Sequence, residues 1–147
     1  MLDIALILDP ITHQPDIALA AGDLVTDNSL YTAVLLSLGC DARAEAGDVL
    51  PVSSTDPRGW WADRVTPTMR PAVPAHRTGS KLWLEARSKQ IPETLRRIED
   101  RLKAALSWIV QDNYATSLTV QAEWIGLGQL GYLIVIDARK ISLRGAL

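Results

Sequence analysis

The stretch that most constrains the fold runs from Cys40 to Ser80, where no helical or alternating pattern of apolar residues persists. Because proline lacks a backbone donor and restricts the residue before it, a proline-rich stretch is unsuited to the interior of a helix or sheet. Five of the eight prolines lie here: Pro51, Pro57, Pro67, Pro71 and Pro74. Long irregular segments in compact domains are usually functional or held by a partner. We therefore predict one domain spanning residues 1–147, with residues 40–80 as an extended arm.

Two adjacent tryptophans, Trp60 and Trp61, lie in the middle of this arm, within the run from Asp56 to Arg64. Successive side chains of an extended chain point to opposite sides, so we expect one indole to anchor inward and the other to meet another surface. Aromatic and arginine side chains are typical of protein interfaces. The arm residues predicted to form an interface are Arg58, Trp60, Trp61, Asp63 and Arg64.

The residues before the arm predict a β-hairpin followed by a helix. A short apolar run at residues 2–8 ends at Asp9-Pro10, and a second short strand is expected at residues 17–20. Apolar side chains then recur at helical spacing over residues 30–38, directly after the potential cap residues Asp27-Asn28-Ser29. We expect an N-terminal hairpin and a first helix of about three turns.

After the arm, Ser80 is a candidate cap for a helix that carries Leu82, Trp83, Ala86 and Arg87. The longest predicted helix follows Pro92, which suits a first helical turn because its missing donor has no partner there. Its apolar face is formed by Leu95, Ile98, Leu102, Ala105, Leu106 and Ile109. The charged residues between them are expected to form a solvated face.

The C-terminal third predicts a β-hairpin. Apolar and polar residues alternate over residues 118–124, two glycines mark a turn, and an apolar run returns over residues 130–136. That run is apolar on both faces, so it is either a central strand or a strand covered by another chain. On the second alternative, the interface also includes Tyr132, Ile134 and Ile136. Residues 141–147 are expected to fray. These elements predict an α+β fold with an N-terminal hairpin, two to three helices, a C-terminal β-hairpin and a long proline-rich arm.

The charge balance disfavours a nucleic-acid partner. The 15 basic and 17 acidic residues leave a formal net charge of −2 and a pI near 5.6, whereas nucleic-acid binders usually carry a basic surface. The alternative would use the two indoles as a stacking platform beside Arg58, Arg64, Arg70, Arg77 and Lys81. Of these, Arg70, Arg77 and Lys81 equally suit contact with an acidic patch on another protein.

Neither a membrane segment nor a disulfide is predicted. The single cysteine, Cys40, excludes an intramolecular disulfide, and we expect it to pack as a small apolar side chain. Residues 1–9 carry an acid where a signal peptide has basic residues, and their apolar run is too short to cross a bilayer. We therefore expect a soluble protein made in the cytoplasm.

No strong catalytic pattern is present, because the sequence lacks a glycine-rich phosphate loop, a His-x-x-x-His pair and a nucleophile elbow. His13 and His76 lie near prolines in predicted loops, where we expect them to be exposed. The remaining enzyme hypothesis uses Asp56 and Asp63 as a carboxylate pair beside the indoles, as in sugar hydrolysis. The competing interpretation is structural: Asp56 begins a turn, and Asp63 forms an ion pair with Arg58 or with the arginine that follows it. We predict no catalysis, no cofactor and no metal.

A series of short motifs follows in order along most of the chain. They are Gly22-Asp23-Leu24, the helix at residues 30–38, Asp41-Ala42-Arg43-Ala44, Gly47-Asp48-Val49-Leu50-Pro51, Asp56-Pro57-Arg58-Gly59-Trp60-Trp61-Ala62-Asp63 and Gly79-Ser80-Lys81-Leu82-Trp83-Leu84. Together with the long helix, this series resembles the Mu-like phage and prophage tail protein family. The ordered series is more specific than any one of its motifs.

That family is similar to the small baseplate-wedge proteins of contractile phage tails, a group sometimes labelled lysozyme-like. The resemblance implies a non-catalytic structural subunit, present in several copies, that joins larger wedge proteins around the tail hub. It also implies that the C-terminal hairpin templates the first ring of the tail sheath. The expected location is the tail baseplate of a virion, assembled in the host bacterial cytoplasm. The alternative is a peptidoglycan-cleaving tail muramidase that uses Asp56 and Asp63.

Overall fold

The structure is a computed structural model that describes residues 3–9, 11–12, 14–27, 29–51, 55–64 and 78–146, with the backbone alone for residues 64, 145 and 146. The predictions for His13, Arg70, His76, Arg77 and the side chain of Arg64 lie outside this description.

Within the described ranges, helices and strands occur in a mixed order, which confirms the predicted α+β class. The strands are β1 (Asp3–Ile4), β2 (Leu6–Leu8), β3 (Pro15–Ile17), β4 (Leu19–Ala20), β5 (Asp23–Leu24), β6 (Thr26–Asp27), β7 (Leu118–Gly126), β8 (Gln129–Ile136) and β9 (Arg139–Ala146). The α-helices are α1 (Tyr31–Gly39), α2 (Pro92–Leu106) and α3 (Trp108–Gln111), and short 3₁₀ helices cover Trp61–Arg64 and Lys81–Glu85.

The N-terminal strands pair into three short antiparallel ribbons, β1–β6, β2–β3 and β4–β5. The ribbons meet at a ring of three backbone hydrogen bonds. Ala5 N–H donates to the Val25 carbonyl at 2.8 Å, Ala18 N–H to the Ala5 carbonyl at 2.9 Å, and Val25 N–H to the Ala18 carbonyl at 3.0 Å. The two alanines are buried at this junction. The predicted hairpin is present in part as β2–β3, but Leu19–Ala20, expected in its second strand, pairs with β5 instead.

The cap position of helix α1 is Leu30, and the side chains of Asp27 and Ser29 before it accept hydrogen bonds from the free N–H groups of the first turn. The Asp27 carboxylate accepts from the N–H groups of Ser29 at 2.7 Å and Thr32 at 3.3 Å. The Ser29 hydroxyl accepts from Tyr31 N–H at 3.1 Å. The hydrogen bonds that the Asp27 carboxylate accepts, of which the one from Ser29 N–H is the largest cause, lower the pKa of Asp27. The Thr32 hydroxyl accepts from Leu6 N–H at 3.1 Å, which ties the helix to β2.

The helical region after the arm follows the prediction with two differences. The Ser80 hydroxyl accepts from Leu82 N–H at 3.1 Å, so Ser80 is a cap, but it caps a five-residue 3₁₀ helix. Pro92 begins the long helix as expected. That helix ends near Ser107, whose hydroxyl donates to the Ala104 carbonyl at 2.9 Å. Because such a bond competes with the backbone pattern, it accompanies the break between α2 and α3.

The C-terminal strands form a three-stranded antiparallel sheet in the order β7-β8-β9. The β7–β8 hairpin agrees with the sequence pattern. The expected fraying of residues 141–147 is wrong as far as residue 146, because β9 pairs with β8 along all eight of its residues. Of the two alternatives for β8, the central strand is the one observed.

The turn between β8 and β9 is fixed by Asp137, which has a positive φ of 51°. Its carboxylate accepts from the Thr116 hydroxyl at 2.6 Å and from the N–H groups of Thr116 at 3.0 Å and Ser117 at 2.9 Å. These bonds, with that from the Thr116 hydroxyl largest, lower the pKa of Asp137. The turn of one hairpin therefore also anchors the start of β7.

The core lies between the sheet and the helices, with α2 packed across β7. Its most deeply buried side chains are Val34, Ile98, Leu102, Leu106, Ile109, Leu130 and Ile134. Burying one such side chain contributes about 1.5–3 kcal/mol relative to exposure. The predicted apolar face of the long helix supplies the centre of this core.

Candidate protein-interaction surfaces

The described ends of the predicted arm are tied together at its base. Ser80 N–H donates to the Cys40 carbonyl at 2.9 Å, and Ala42 N–H donates to the Ser80 carbonyl at 3.0 Å. Gly79 has a φ of +105°, and a Cβ there would lie 2.5 Å from the Cys40 carbonyl oxygen. Only glycine permits this approach without a shift of the backbone. We name this region, formed by residues 40–44, 56–58 and 78–83, the loop base.

Arg58 closes the loop base by contacting two other parts of it. Its guanidinium lies 2.6 Å from an Asp41 carboxylate oxygen and 4.5 Å from the centre of the Trp83 ring. Trp83 is buried, and its indole N–H donates to the Ala42 carbonyl at 2.9 Å. The expected ion pair between Arg58 and Asp63 is wrong, since the carboxylate that Arg58 contacts is Asp41. The described parts of the arm are thus held against the rest of the chain.

The two carboxylates of the enzyme hypothesis accept hydrogen bonds from nearby backbone. An Asp56 oxygen accepts from Arg58 N–H at 2.9 Å, which forms the turn that the sequence predicts. The Asp63 oxygens lie 3.0 and 3.3 Å from Thr78 N–H. Asp63 therefore joins the chain before the undescribed residues 65–77 to the chain after them. The Asp56 contact is the predicted turn, whereas Asp63 accepts from backbone and does not pair with Arg58.

The tandem tryptophans lie at the surface beyond the loop base. Trp60 is 39% exposed and Trp61 is 72% exposed, and their ring centres are 5.8 Å apart with an interplanar angle of 53°. The expectation that one of them anchors inward is wrong, because the buried indole of this region is Trp83. Paired exposed indoles form a large apolar surface of the kind enriched at protein interfaces.

The β8 residues of the predicted interface belong to the core. Ile134 is fully buried and Ile136 is 3% exposed, so their side chains already contact other parts of this chain. Tyr132 is half-buried, and burial raises the pKa of its phenol. As a correction to the interface prediction, neither isoleucine side chain is accessible to a partner in this structure. Their apolar character reflects the central position of β8.

The two outer strands of the sheet differ in whether the backbone groups on their free edges have hydrogen-bond partners. At the β7 edge, a Glu99 oxygen from α2 accepts from Ala122 N–H at 2.9 Å. The two-residue turn before β9 makes Ile136 and Arg139 a hydrogen-bonded pair, and antiparallel pairing alternates from there. The backbone groups of Lys140, Ser142 and Arg144 therefore point away from β8. Within the described residues they have no hydrogen-bond partner, so the edge of β9 is open.

Sequence reasoning missed Glu85, the last residue of the 3₁₀ helix, which is 3% exposed and contacts α2. Its oxygens accept from Arg97 and Arg101, each at 3.0 Å, and from the Ser88 hydroxyl at 2.6 Å. Burial alone would raise the pKa of Glu85, but these bonds and the charge of Arg101 together lower it. Of the two arginines on the face predicted to be solvated, Arg97 is 43% exposed and Arg101 only 22% exposed, so the prediction is wrong at Arg101. Their spacing of four residues, which places both on one helix face, was the available signal.

Lys81, predicted as a possible contact for an acidic partner, contacts acids of its own chain. Its ammonium group lies 2.6 Å from an Asp48 oxygen and 3.5 Å from a Glu45 oxygen. The Lys81 hydrogen bond is the largest cause of the lowered pKa of Asp48. In addition to the Arg58–Asp41 contact, Lys81 therefore connects the loop base to residues 45–48.

Among the residues that the structure describes, no three His, Cys, Asp or Glu side chains are grouped so that they could hold a metal ion. In the same ranges, none of the helices has the length and apolar character needed to cross a membrane.

Comparison with known proteins extends the resemblance from motifs to most of the chain. A family model described as "Phage protein GP46" matches residues 30–142. "Baseplate protein gp46" of Escherichia phage Mu is 38% identical over 135 residues, which cover 92% of this chain and 86% of the relative. "Mu-like prophage FluMu protein gp46" of Haemophilus influenzae is 36% identical over 107 residues, 73% of this chain and 67% of the relative. These matches confirm the family predicted from the motifs. The chain therefore belongs to the Phage protein GP46 family of Mu-like phages and prophages.

Proposed function

We propose that this chain is a structural subunit of the baseplate of a contractile phage or phage-like tail. In this proposal it joins larger wedge proteins around the tail hub, and β9 templates the first ring of the sheath. The name of the relative from phage Mu, baseplate protein gp46, supports the baseplate location. The observation that carries the templating role is that the outer edge of β9 is open, whereas the opposite edge of the sheet, at β7, is hydrogen-bonded to Glu99.

An open edge suits strand addition, in which a segment of another protein hydrogen-bonds to an existing sheet. The side chains of Ile141 and Leu143 face the core, while Lys140, Ser142 and Arg144 are exposed. A strand added at β9 would extend the sheet without disturbing the core, since β8 already fills the central position. A sheath subunit that supplies this strand would take its register from the baseplate.

The exposed Trp60–Trp61 pair supports a second contact, with a neighbouring wedge protein. Tryptophan is enriched among the residues that dominate binding energy, particularly where a partner fully covers it. The pair lies between Arg58 and Asp63, which contact Asp41 and the Thr78 N–H of the same chain. Less ordering is therefore needed when a partner arrives.

The proposed role is non-catalytic. Its support is the local use of Asp56 and Asp63, whose carboxylates accept from the backbone N–H groups of Arg58 and Thr78. A muramidase would need one carboxylate to donate a proton and the other to act as nucleophile or base. In the proposed role, both carboxylates instead hold the backbone of the arm in place.

The templating role is tested by replacing Ser142 with proline in the complete phage. The Ser142 N–H points away from β8, so proline there removes an outward donor and leaves the internal ladder intact. We expect baseplates that contain the subunit but carry no sheath, as seen by electron microscopy of purified particles. Ser142→Ala is the matched control and should give sheathed tails. Sheathed tails in normal numbers from Ser142→Pro would contradict the role of β9, whereas loss of the subunit from wild-type baseplates would contradict the baseplate role itself.

A further inference from the structure

The open edge of β9 is positively charged. The strand contains Arg139, Lys140 and Arg144 and no acidic residue. The side chains of Lys140 and Arg144 are exposed, and neither forms an ion pair with any residue that the structure describes. The acid that precedes the strand, Asp137, already accepts hydrogen bonds from the residues before β7. The two exposed cations are therefore left to a partner.

The side chains of Lys140, Ser142 and Arg144 share the face of the sheet that points away from the core. Their partners in β8 are, in the same order, Val135, Leu133 and Gly131. Side chains that lie directly opposite one another on neighbouring strands interact. Because β8 supplies no carboxylate at these positions, an acid opposite Lys140 or Arg144 can come only from a strand added on the free side of β9.

The alternate side chains of β9 are apolar and face the core. Leu143 is buried, whereas Ile141 is only partly buried, although it packs against the core. An apolar side chain on an added strand would lie beside Ile141 and remove more of its surface from water. The open edge is thus basic on one face of the sheet and apolar on the other.

The backbone of this edge favours a polypeptide over other anions. The backbone groups of Lys140, Ser142 and Arg144 that point away from β8 include carbonyl acceptors as well as N–H donors. Phosphate groups of a lipid or nucleic acid could accept from the N–H groups but would leave the carbonyls without donors. An extended protein segment supplies both donors and acceptors.

The opposite edge of the sheet has the opposite charge. Glu99 contacts β7 at Ala122, and Glu123 belongs to β7 itself. Like charges placed side by side on neighbouring strands are destabilising. An acidic segment would therefore be attracted to β9 and repelled from β7.

We propose that the strand added at β9 alternates acidic and apolar residues over five positions. Its first and fifth residues are aspartate or glutamate and lie opposite Lys140 and Arg144. Its second and fourth residues are apolar and lie beside Ile141 and Leu143, while its central residue lies opposite Ser142. The pattern is symmetric, so it fits an added strand of either orientation. This inference rests on the proposed templating role and names the kind of segment that a sheath subunit supplies there.

The charge requirement is tested in the complete phage with Lys140→Glu combined with Arg144→Glu. Both side chains are exposed, so the subunit should fold and enter the baseplate. We expect the number of sheathed tails to fall by about tenfold or more, since two attractive cross-strand pairs become repulsive. Lys140→Gln with Arg144→Gln, which removes the attraction without adding repulsion, should give a smaller loss. The matched control is Lys89→Glu with Lys103→Glu, which makes the same change of net charge at exposed lysines outside β9 and should give normal sheaths.

Compensating changes identify the added strand itself. Revertants of the glutamate double variant that regain sheathed tails should carry lysine or arginine in place of two acidic residues, four positions apart, in one segment of the sheath protein. Revertants that map only to other proteins, or normal sheath numbers in the glutamate double variant, would overturn the proposal. If Ser142→Pro still prevents sheath growth in that case, strand addition at β9 stands and only the acidic segment is wrong. Normal sheaths from both variants would contradict the templating role as well.

Discussion

The ion pairs Asp41–Arg58 and Glu85–Arg97 have similarly exposed arginines but differ in the burial of the carboxylate. Asp41 lies 2.6 Å from Arg58, yet both side chains are nearly half exposed. Glu85 lies 3.0 Å from Arg97 and is 3% exposed. The shorter contact is the weaker one, because water screens exposed charges and a buried carboxylate without its partners is costly. Burial, more than distance, decides how firmly each contact holds the fold.

The largest expected effect comes from removing the buried charge. We expect Glu85→Gln to lower the free energy of unfolding by about 2–3 kcal/mol, because the buried group that accepts from Arg97 and Arg101 loses its charge. Asp41→Asn, the same exchange at the exposed contact, should cost about 0.5 kcal/mol. Urea unfolding at neutral pH measures both. Equal losses in the two variants would contradict the importance of burial.

The pH dependence sharpens the same comparison. Because the folded-state pKa of Glu85 is lowered from an ordinary value near 4.5, its contribution to stability is complete above that value and is lost as pH falls through the folded-state pKa. The difference in stability between wild type and Glu85→Gln should therefore shrink during acid titration. A difference that stays constant from neutral to strongly acidic pH would show that the charge of Glu85 is not responsible.

A smaller effect is expected at the loop base, where Gly79→Ala would place its Cβ 2.5 Å from the Cys40 carbonyl oxygen. We expect a loss of about 1–2 kcal/mol, limited because the loop base can open while the core stays folded. Hydrogen exchange should accelerate at the N–H groups of Ala42 and Ser80. Gly47→Ala, where a Cβ meets nothing within 4 Å, is the control. Unchanged exchange at both N–H groups would contradict the close approach.

The smallest effect on stability is expected for Trp60→Ala combined with Trp61→Ala. Their exposure limits the lost burial, so the free energy of unfolding should change by about 1 kcal/mol or less. The same double variant should be missing from purified wedge complexes after co-expression of the baseplate proteins, because the proposed partner loses both indoles. Leu127→Ala should assemble normally. Assembly of the double tryptophan variant at wild-type level would remove the reason to regard the pair as an interface.

Hydrophobic periodicity predicted the elements whose side chains follow one regular pattern. The apolar spacing of Ile98 and Leu102 identified the long helix, and alternation identified β7. The strand β9 was missed although Ile141 and Leu143 alternate with polar residues, because its short pattern lies at the chain end, where fraying is the usual expectation. The family was predicted from the order of short motifs, which is independent of any single element.

The loop base and the ribbon junction were not predictable from local patterns. The contact of Arg58 with Asp41 joins residues 17 apart, and several nearby acids were equally plausible partners by charge alone. The junction depends on backbone groups of Ala5, Ala18 and Val25, which leave no polar signature in the sequence.

The hydrogen bond from Ala122 N–H to Glu99 blocks one edge of the sheet, so that another strand can be added only at the opposite edge. Strands could join a sheet with two open edges from either side, so growth would be ambiguous. With β7 obstructed at its middle and β9 open, successive additions can proceed one way only. Glu99 thereby makes the two edges of the sheet different. An assembly that grew by adding strands would extend only from the β9 edge.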